Sequence, residues 1–224
     1  MISRRSFLAA GGVLIVGLGL DGAERALAQT VPNADRFLGK PLAPDTVDSF
    51  LAMHADGSVT LFTGKVDIGT GGRIAMRQLV GEELDIPLER IEMIEGDTAL
   101  TPNQGATAGS YGIARGGMQL RRAAATARQA LLAQAAQRLG KPVAELEVAD
   151  GVVRAKDGSV SVTYGELIGD QAFNLKVDSK APLKSPDRFR FIGKPLPRPD
   201  VPAKVTAATA ISTISCCPAC STPA

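Results

Sequence analysis

The sequence is poor in the side chains that most often bind metals in proteins. Among its 224 residues there is one histidine, His54, and the three cysteines all lie close to the carboxyl end. A zinc-type centre needs three or four such ligands close together. The body of the chain therefore has too few of them to form a histidine–cysteine metal site.

Clustered positive charge is also lacking. The formal net charge is +2, and the 25 lysines and arginines are scattered along the chain. Proteins that bind nucleic acid or anionic lipid usually present a basic face, so we expect neither partner. Hydrophobic residues make up 45% of the sequence and charged residues 21%, which is typical of a globular protein.

No long hydrophobic run is present at the amino end. The apolar stretch 9–20 is shorter than the roughly 20 residues that a membrane span requires. It follows the pair Arg4 and Arg5, and small residues at 26–28 provide a cleavage site. This order is typical of a twin-arginine export signal. We therefore predict a signal peptide at 1–28, a periplasmic location and no stable membrane anchor.

Both kinds of secondary structure are predicted in the first half of the mature chain. Apolar runs at 49–54 and 59–64 flank a turn and predict a β-hairpin. Apolar residues at helical spacing follow over 74–84, and the stretch 90–95 is typical of a strand. A long alanine-rich helix is predicted over 118–139, with one small-residue face that allows close packing.

The second half continues the mixed pattern. A hairpin is predicted at 146–153, a short strand near Val160 and a helical turn at 164–168. The proline-rich stretch 191–204 is typical of an extended linker. The fold class we predict is α+β, a mixed sheet with helices packed on it.

Two loops are crowded with glycine and hydroxyl side chains, one at 64–72 and the other at 103–117. Residues without a Cβ atom let backbone N–H groups approach an anion, and a following helix adds favourable donors. The loops are therefore candidate cradles for a phosphate or a polar cofactor, although the same glycines could serve only tight turns and close packing. Neither loop has the spacing of a dinucleotide or P-loop motif.

Several motifs in order resemble one known family. The stretch VTLFTGKVDIGTGGRIAMRQLVGEELDIPLERIEMIEGDTALTPNQGATAGS begins at Val59, GELIG begins at Gly165, and APLKSPDRFRFIGKPLPRPDVPAKVT begins at Ala181. Together they are similar to the amino-terminal molybdopterin-binding segment of the xanthine dehydrogenase superfamily. The exported branch related to isoquinoline oxidoreductase, nicotinate dehydrogenase and aldehyde dehydrogenase large subunits is the most similar. The resemblance extends over 49–206 and implies that the α+β segment is part of a molybdenum-cofactor-binding domain.

The resemblance also implies a set of cofactor-binding residues. They are Gly69, Thr70 and Gly71 in one loop and Thr107, Ala108, Gly109 and Ser110 in the other. Many family members have glutamine where this chain has Thr70, and a hydroxyl reaches less far than an amide. The hydroxyls of Thr107 and Ser110 could instead stabilise their own loop.

The family's chemistry is hydroxylation of an aldehyde or an N-heterocycle with oxygen from water. The resemblance implies a molybdenum–molybdopterin cofactor, with the cytosine dinucleotide form as one version of it. It also implies an iron–sulfur small subunit as partner, with a cytochrome c as a further candidate. Molybdenum is held in this family by the cofactor rather than by protein side chains, so no metal ligand is assigned.

Family members carry a glutamate base in a glycine-rich stretch near their carboxyl end. No such stretch occurs in this sequence. Glu82 and Glu83 lie on the helix predicted after the loop at 64–72, and we predict them to be solvated helix charges. No catalytic residue is assigned, and the chain is expected to be inactive alone.

The last residues, 207–224, change abruptly in composition, with no charge and all three cysteines. A lone Cys217–Cys220 pair is weak evidence for a metal or redox site, and the cysteines do not fit a prenylation signal. We interpret this tail as the product of a shifted reading frame.

The expected organisation has five parts: a signal peptide at 1–28, a linker at 29–47, the cofactor-binding segment at 48–190, a linker to a missing domain at 191–206, and the aberrant tail at 207–224. Apolar surface that would pack on missing parts is expected to be exposed. The rival interpretation is a small exported binding or scaffold module without molybdenum.

Overall fold

The computed structural model describes residues 34–198 and 201–206. The predicted signal peptide at 1–28 and the predicted aberrant tail at 207–224 lie outside the described residues. The chain divides into two compact units, Met1–Arg36 and Phe37–Ala224. All the strands and α-helices described below belong to the second unit.

A mixed three-stranded sheet forms the first half of this unit. Its strands are β1 (Leu51–Met53), β2 (Val59–Thr63) and β3 (Ile91–Glu95), in the order β1-β2-β3. The predicted hairpin is confirmed, because β1 and β2 are antiparallel with Met53 opposite Val59. Strand β3 pairs with β2 in parallel.

Helix α1 (Gly72–Leu84) connects the two parallel strands. Parallel neighbouring strands need a crossover of this kind, because a tight turn reverses the chain direction and would make the next strand antiparallel. Met76, Val80 and Leu84 are buried and account for the helical spacing in the sequence. The helix ends at Asp85, whose backbone is left-handed and whose N–H donates to the carbonyl of Gly81.

Helix α2 (Met118–Leu139) is the longest element, and its predicted packing face is confirmed. Five residues of that face have no exposed surface: Leu120, Ala124, Ala127, Leu131 and Ala135. The glycine-rich loop predicted over 103–117 is wrong at its end, because Gly112–Gly117 forms a π-helical turn that continues into α2. The glycine content of that turn is typical of a loop, but Gly116 and Gly117 pack closely against the side chains of Lys65 and Leu79 in a helical path.

A second, antiparallel sheet follows α2. It consists of β4 (Leu146–Ala149), β5 (Val152–Ala155) and β6 (Ser161–Thr163). Helices α3 (Tyr164–Ile168) and α4 (Val201–Val205) complete the described α-helices. Short 3-10 turns lie at Ala34–Phe37, Val47–Ser49, Leu88–Arg90, Val143–Glu145 and Pro186–Arg188.

One hydrophobic core joins the two sheets. It contains buried residues of the first sheet, of both long helices and of the second sheet, and Leu61 and Val153 in it have no exposed surface. The α+β class with a mixed sheet under helices is therefore confirmed, and the second sheet is a separate antiparallel layer. Among the described residues, no helix is both long and apolar enough to cross a bilayer.

The prediction that Glu82 and Glu83 are solvated is wrong. Neither side chain has any exposed surface. Their carboxylates lie beneath the segment 184–192, where Lys184 and Arg121 supply positive charge and backbone N–H groups donate hydrogen bonds. Buried carboxylates are stable only with such compensation. The exposed face that helical spacing implied for them is occupied by a distant part of the chain.

Candidate functional site

Two parallel strands bring the glycine-rich loops together. Thr63 at the end of β2 lies opposite Glu95 at the end of β3. Because the strands are parallel, both chains leave the sheet at the same edge, which is where ligands commonly bind in strand–helix–strand units. We call residues 64–71, which follow β2, the first loop, and residues 96–111, which follow β3, the second loop.

Gln104 joins the two loops to the helical layer. Its side-chain carbonyl accepts a hydrogen bond from the Thr63 hydroxyl at 2.7 Å and another from the Gly64 N–H at 2.9 Å. Its amide nitrogen donates to the Gly116 carbonyl at 3.2 Å and to the side-chain oxygen of Gln119 at 2.9 Å. Two of these contacts hold the second loop against the end of β2, and the other two hold it against the helical layer.

Lys65 continues this junction along the first loop. Its side chain is buried, and the ammonium donates to the carbonyls of Gly105 at 3.0 Å and Ala106 at 2.7 Å. The next N–H, that of Val66, donates to the Thr107 hydroxyl at 3.0 Å. The Thr107 hydroxyl therefore takes part in loop stabilisation, which the sequence left open as an alternative to ligand binding.

A pocket of about 400 Å³ lies between the two loops and the start of α1. Six of the seven residues predicted from the resemblance line it; Gly69 does not. The six are Thr70, Gly71, Thr107, Ala108, Gly109 and Ser110. The two stretches that the sequence singled out thus form one concave surface, of a size that small ligands and cofactors use.

The first loop is organised around the carboxylate of Asp67. Its two oxygens accept hydrogen bonds from the N–H groups of Gly69 at 2.9 Å, Gly71 at 3.1 Å and Arg73 at 3.1 Å. Partial burial opposes ionisation of Asp67, but these donors and the charge of Arg198 outweigh it and hold its pKa below the ordinary value. The chain's own carboxylate therefore engages the N–H groups of Gly69 and Gly71, and a cofactor-binding role for these two residues stays a prediction.

Other backbone donors at the pocket have no protein acceptor within the described ranges 34–198 and 201–206. They include the N–H groups of Thr70, Ala108, Gly109 and Ser110. Ser110 has a positive φ of 59°, which an L-residue adopts only where its surroundings hold it. Four unpaired N–H groups on a concave surface fit an oxygen-rich ligand, since each gains an acceptor there.

The two positively charged side chains at the pocket, Arg73 and Lys65, have different kinds of partner. Arg73 forms an ion pair with Glu95, and Glu95 also accepts from the N–H of Asp67 at 3.2 Å. No carboxylate among the described residues lies within ion-pair distance of Lys65. The pocket therefore has a buried positive charge whose hydrogen bonds go to neutral carbonyls, an arrangement that favours an anionic ligand group.

The π-helical turn packs closely beneath the loops because two of its glycines have no side chain. A Cβ atom on Gly116 would lie 2.8 Å from Cγ of Lys65, and one on Gly117 would lie 2.7 Å from Cδ1 of Leu79. Turns of this kind are rare and often lie at functional sites. Here the turn brings the second loop and the start of α2 against α1.

An apolar rim surrounds part of the pocket. Val66 is 44% exposed, Ile68 is 68% exposed and Ile113 is 39% exposed, and all three line it. Exposed large apolar residues next to a pocket often contact a ligand or another protein surface. Within the described residues, no group of three or more histidine, cysteine, aspartate or glutamate side chains is arranged to hold a metal ion.

Five residues that organise the site were not predicted: Lys65, Asp67, Arg73, Glu95 and Gln104. One sequence signal could have found most of them. A single helix between two strands implies parallel pairing, so polar residues just after each strand must meet at one edge. The hydrogen bonds of Gln104 depend on side-chain packing and have no comparable signal.

Comparison with known proteins identifies what the chain is similar to. The profile of the molybdopterin cofactor-binding domain matches residues 33–215. A nicotinate dehydrogenase subunit of Pseudomonas putida is 44% identical over 157 residues, which is 70% of this chain and 13% of that protein. The beta subunit of isoquinoline 1-oxidoreductase of Brevundimonas diminuta is 26% identical over 91% of this chain and 30% of that protein. The profile match overlaps the start of the predicted aberrant tail.

A third relative, a probable hypoxanthine oxidase of Escherichia coli, is 38% identical over 55% of this chain and 13% of that protein. The chain thus spans between 13% and 30% of the length of these three relatives. Among solved structures, CO dehydrogenase from Oligotropha carboxidovorans aligns with a TM-score of 0.48 and 28% identity, over 52% of this chain and 15% of that chain. Quinoline 2-oxidoreductase from Pseudomonas putida aligns with a TM-score of 0.45 and 22% identity, with the same coverage.

Proposed function

Because this chain belongs to the molybdopterin-binding subunits of the xanthine dehydrogenase family, we propose that it forms part of the cofactor site of a molybdenum hydroxylase large subunit. The pocket between the two loops carries the proposal. It is lined by Thr70, Ala108, Gly109 and Ser110, whose backbone N–H groups have no acceptor within the described residues. A pterin with its phosphate or nucleotide tail offers the oxygens that such donors bind.

Each group at the pocket has a defined part in this proposal. The hydroxyls and N–H groups of Thr70 and Ser110 would hold oxygens of the cofactor, and the buried ammonium of Lys65 would favour its anionic portion. Gly71 lines the pocket without a side chain and leaves room for the ligand. Asp67 keeps the first loop in shape and is not itself a ligand-binding group.

The bound molybdenum centre would supply the hydroxylation of an electron-poor carbon of an aldehyde or N-heterocycle, with oxygen from water. The residues of this chain bind and orient the cofactor and do not move a proton in that reaction. Since the chain spans only 13% to 30% of its relatives' lengths, we propose that it is inactive alone. The rest of the large subunit would supply the glutamate base and the substrate channel.

The partners and location follow from the same proposal. We propose an iron–sulfur small subunit as electron acceptor, with a cytochrome c as a further acceptor, and the cytosine dinucleotide as one form of the cofactor. The exposed apolar rim at Val66, Ile68 and Ile113 is suited to being covered in a larger assembly. We also propose that the twin-arginine leader at 1–28 directs the protein to the periplasm.

The test measures cofactor content. The 224-residue chain would be purified from a host that makes molybdopterin, alongside a version in which it replaces the matching segment of the Pseudomonas putida relative. Molybdenum is measured by mass spectrometry and pterin by fluorescence after oxidative release. Ala108→Glu places a bulky negative side chain at the pocket, and Ala99→Glu makes the same change on an exposed part of the second loop outside it.

We expect the longer version to contain molybdenum and pterin, and Ala108→Glu to lower the content at least about tenfold, because a charge of the same sign as the cofactor's anionic portion and lost space both oppose binding. Ala99→Glu should leave it within about twofold of the parent protein. Equal pterin content in the two variants would overturn the assignment of the pocket. Folded protein without pterin in every version would instead favour the rival function, an exported binding or scaffold module.

A further inference from the structure

The buried carboxylate of Glu82 binds a distant stretch of backbone. It accepts hydrogen bonds from three consecutive N–H groups: Arg190 at 2.8 Å, Phe191 at 2.7 Å and Ile192 at 3.1 Å. The ammonium of Lys184 donates to the same carboxylate at 3.0 Å. Glu82 has no exposed surface, so this charge depends entirely on these donors for its stability.

Two neighbouring carboxylates extend the attachment. Glu83 accepts from the N–H of Lys184 at 2.9 Å and from the guanidinium of Arg121 at 2.6 Å. Asp85 pairs with the ammonium of Lys184. The carboxyl-terminal end of α1 therefore anchors the segment 184–192 through both its backbone and its one buried lysine.

The chain then returns along α1 towards the pocket. The side-chain amide of Gln78, near the middle of the helix, donates to the carbonyls of Phe191 at 2.7 Å and Lys194 at 3.1 Å. Farther along, the guanidinium of Arg198 donates to the Gly69 carbonyl at 2.9 Å. We call residues 184–198 the docked segment, since it is attached at both ends and in the middle.

Arg198 packs over the turn of the first loop. A Cβ atom on Gly71 would lie 3.5 Å from Cδ of Arg198. The loop is thus held from two sides, by Asp67 through the N–H groups of Gly69 and Gly71 and by Arg198 through the carbonyl of Gly69.

We propose that Glu82 is a positioning residue for the pocket: it fixes the docked segment along α1 and thereby places Arg198 on the first loop. Docking of this segment and the shape of the loop are therefore coupled. An extension of this proposal rests on the proposed function. When a cofactor occupies the pocket, the coupling is reciprocal, and the bound cofactor slows hydrogen exchange in the docked segment.

The experiment is hydrogen exchange of the full chain without cofactor, read in peptides that cover 66–73 and 184–198. Glu82→Gln removes the charge and keeps the shape of the side chain, while Arg198→Met removes the guanidinium that donates to the Gly69 carbonyl and leaves the contacts of Glu82 in place. The matched control is Glu89→Gln, at an exposed glutamate that follows the same helix.

We expect Glu82→Gln to speed exchange at least about tenfold in both peptides, because three charge-assisted hydrogen bonds are weakened. Arg198→Met should speed exchange in 66–73 alone, and Glu89→Gln should change neither. If Glu82→Gln frees the docked segment while exchange in 66–73 stays at the parent rate, the proposal is wrong. Unchanged exchange of 66–73 in Arg198→Met also overturns it, and this variant disturbs no buried group.

A further arm compares preparations with and without bound pterin. Slower exchange of 184–198 in the loaded protein supports the reciprocal coupling, and equal exchange contradicts it. Failure of the proposed function has a different signature, since it leaves no loaded protein at all while the exchange of the cofactor-free variants is unaffected.

Discussion

The carboxylate of Asp67 accepts a hydrogen bond from the N–H of Gly71 at 3.1 Å, within a loop whose glycines suggest an anion cradle. The same carboxylate also engages the N–H groups of Gly69 and Arg73. The amino end of α1 thus already holds an anion, and that anion belongs to the chain. An external ligand of the pocket would instead meet the N–H groups of Thr70 and of the second loop, for which the described residues supply no acceptor.

Replacing Asp67 should loosen the first loop. We expect Asp67→Ala to lower the free energy of unfolding by about 1 to 2 kcal/mol, because three N–H groups lose their acceptor at a partly exposed site. Asp67→Asn should lower the free energy of unfolding by less, since one side-chain oxygen remains as an acceptor. Urea unfolding followed by circular dichroism measures both.

The control for this change is Asp56→Ala, which removes an aspartate that accepts from the N–H of Ser58 in the exposed hairpin turn. We expect it to lower the free energy of unfolding by under about 1 kcal/mol, because the two hydrogen bonds that are lost, from the N–H and the hydroxyl of Ser58, are both exposed. An equal or larger loss in Asp56→Ala than in Asp67→Ala would contradict the organising role of Asp67.

Gln104 should matter more than an ordinary surface glutamine. Gln104→Ala removes four hydrogen bonds that join the two loops to the helical layer, and we expect the free energy of unfolding to fall by about 2 to 3 kcal/mol. The exposed Gln137 of α2 provides the control, and Gln137→Ala should change stability by less than about 0.5 kcal/mol. Similar midpoints for the two variants in urea would refute the linking role of Gln104.

Local patterns in the sequence predict the elements well, because spacing and turn chemistry act over a few residues. The hairpin at 49–64, the buried face of α2 and both glycine-rich loops follow from such patterns. The environment of Glu82 does not, since it depends on backbone N–H groups more than 100 residues away. Helical spacing can place that side chain on a face, but only tertiary packing decides what covers the face.

The π-helical turn illustrates a second limit. The glycine content over 112–117 is typical of a loop, so the predicted loop extends to residue 117. The structure has a π-helical turn over these residues instead. The close approach of Lys65 and Leu79 to two of these glycines is what makes their missing side chains useful in a helical path. A pattern that counts glycines cannot distinguish a flexible turn from a tight packing contact.

Gly64 should tolerate no side chain. A Cβ atom there would lie 2.2 Å from the carbonyl oxygen of Pro102, which is backbone and cannot move aside without separating the two loops. We expect Gly64→Ala to lower the free energy of unfolding by about 2 kcal/mol or more. Gly112→Ala is the control, because a Cβ atom at Gly112 meets nothing within 4 Å and alanine favours helix. Thermal unfolding compares the two, and a loss in Gly112→Ala as large as that in Gly64→Ala would contradict the steric argument.

The stability of the protein should depend on pH through Glu82. Burial opposes its ionisation, but the N–H groups of Phe191, Arg190 and Ile192 and the ammonium of Lys184 outweigh that effect, so its pKa is lowered in the folded protein. A carboxyl with a lowered folded pKa binds a proton more readily when the chain is unfolded. Its contribution is therefore fully present above the unfolded pKa of about 4.3 and is lost as the pH falls through the folded pKa.

Glu82→Gln tests this directly, because glutamine does not titrate. Near pH 7 we expect the variant to be less stable than the parent by about 2 to 3 kcal/mol, since charge-assisted bonds to a buried group are replaced by weaker ones. The difference in unfolding free energy should shrink as the pH is lowered from about 5 towards 3, because the parent then loses the charge that the variant never had. Glu89→Gln, at an exposed position, provides the baseline. Urea unfolding at a series of pH values decides the matter: a parent-to-variant difference that stays constant across the acid range would mean that the charge of Glu82 does not stabilise the docked segment.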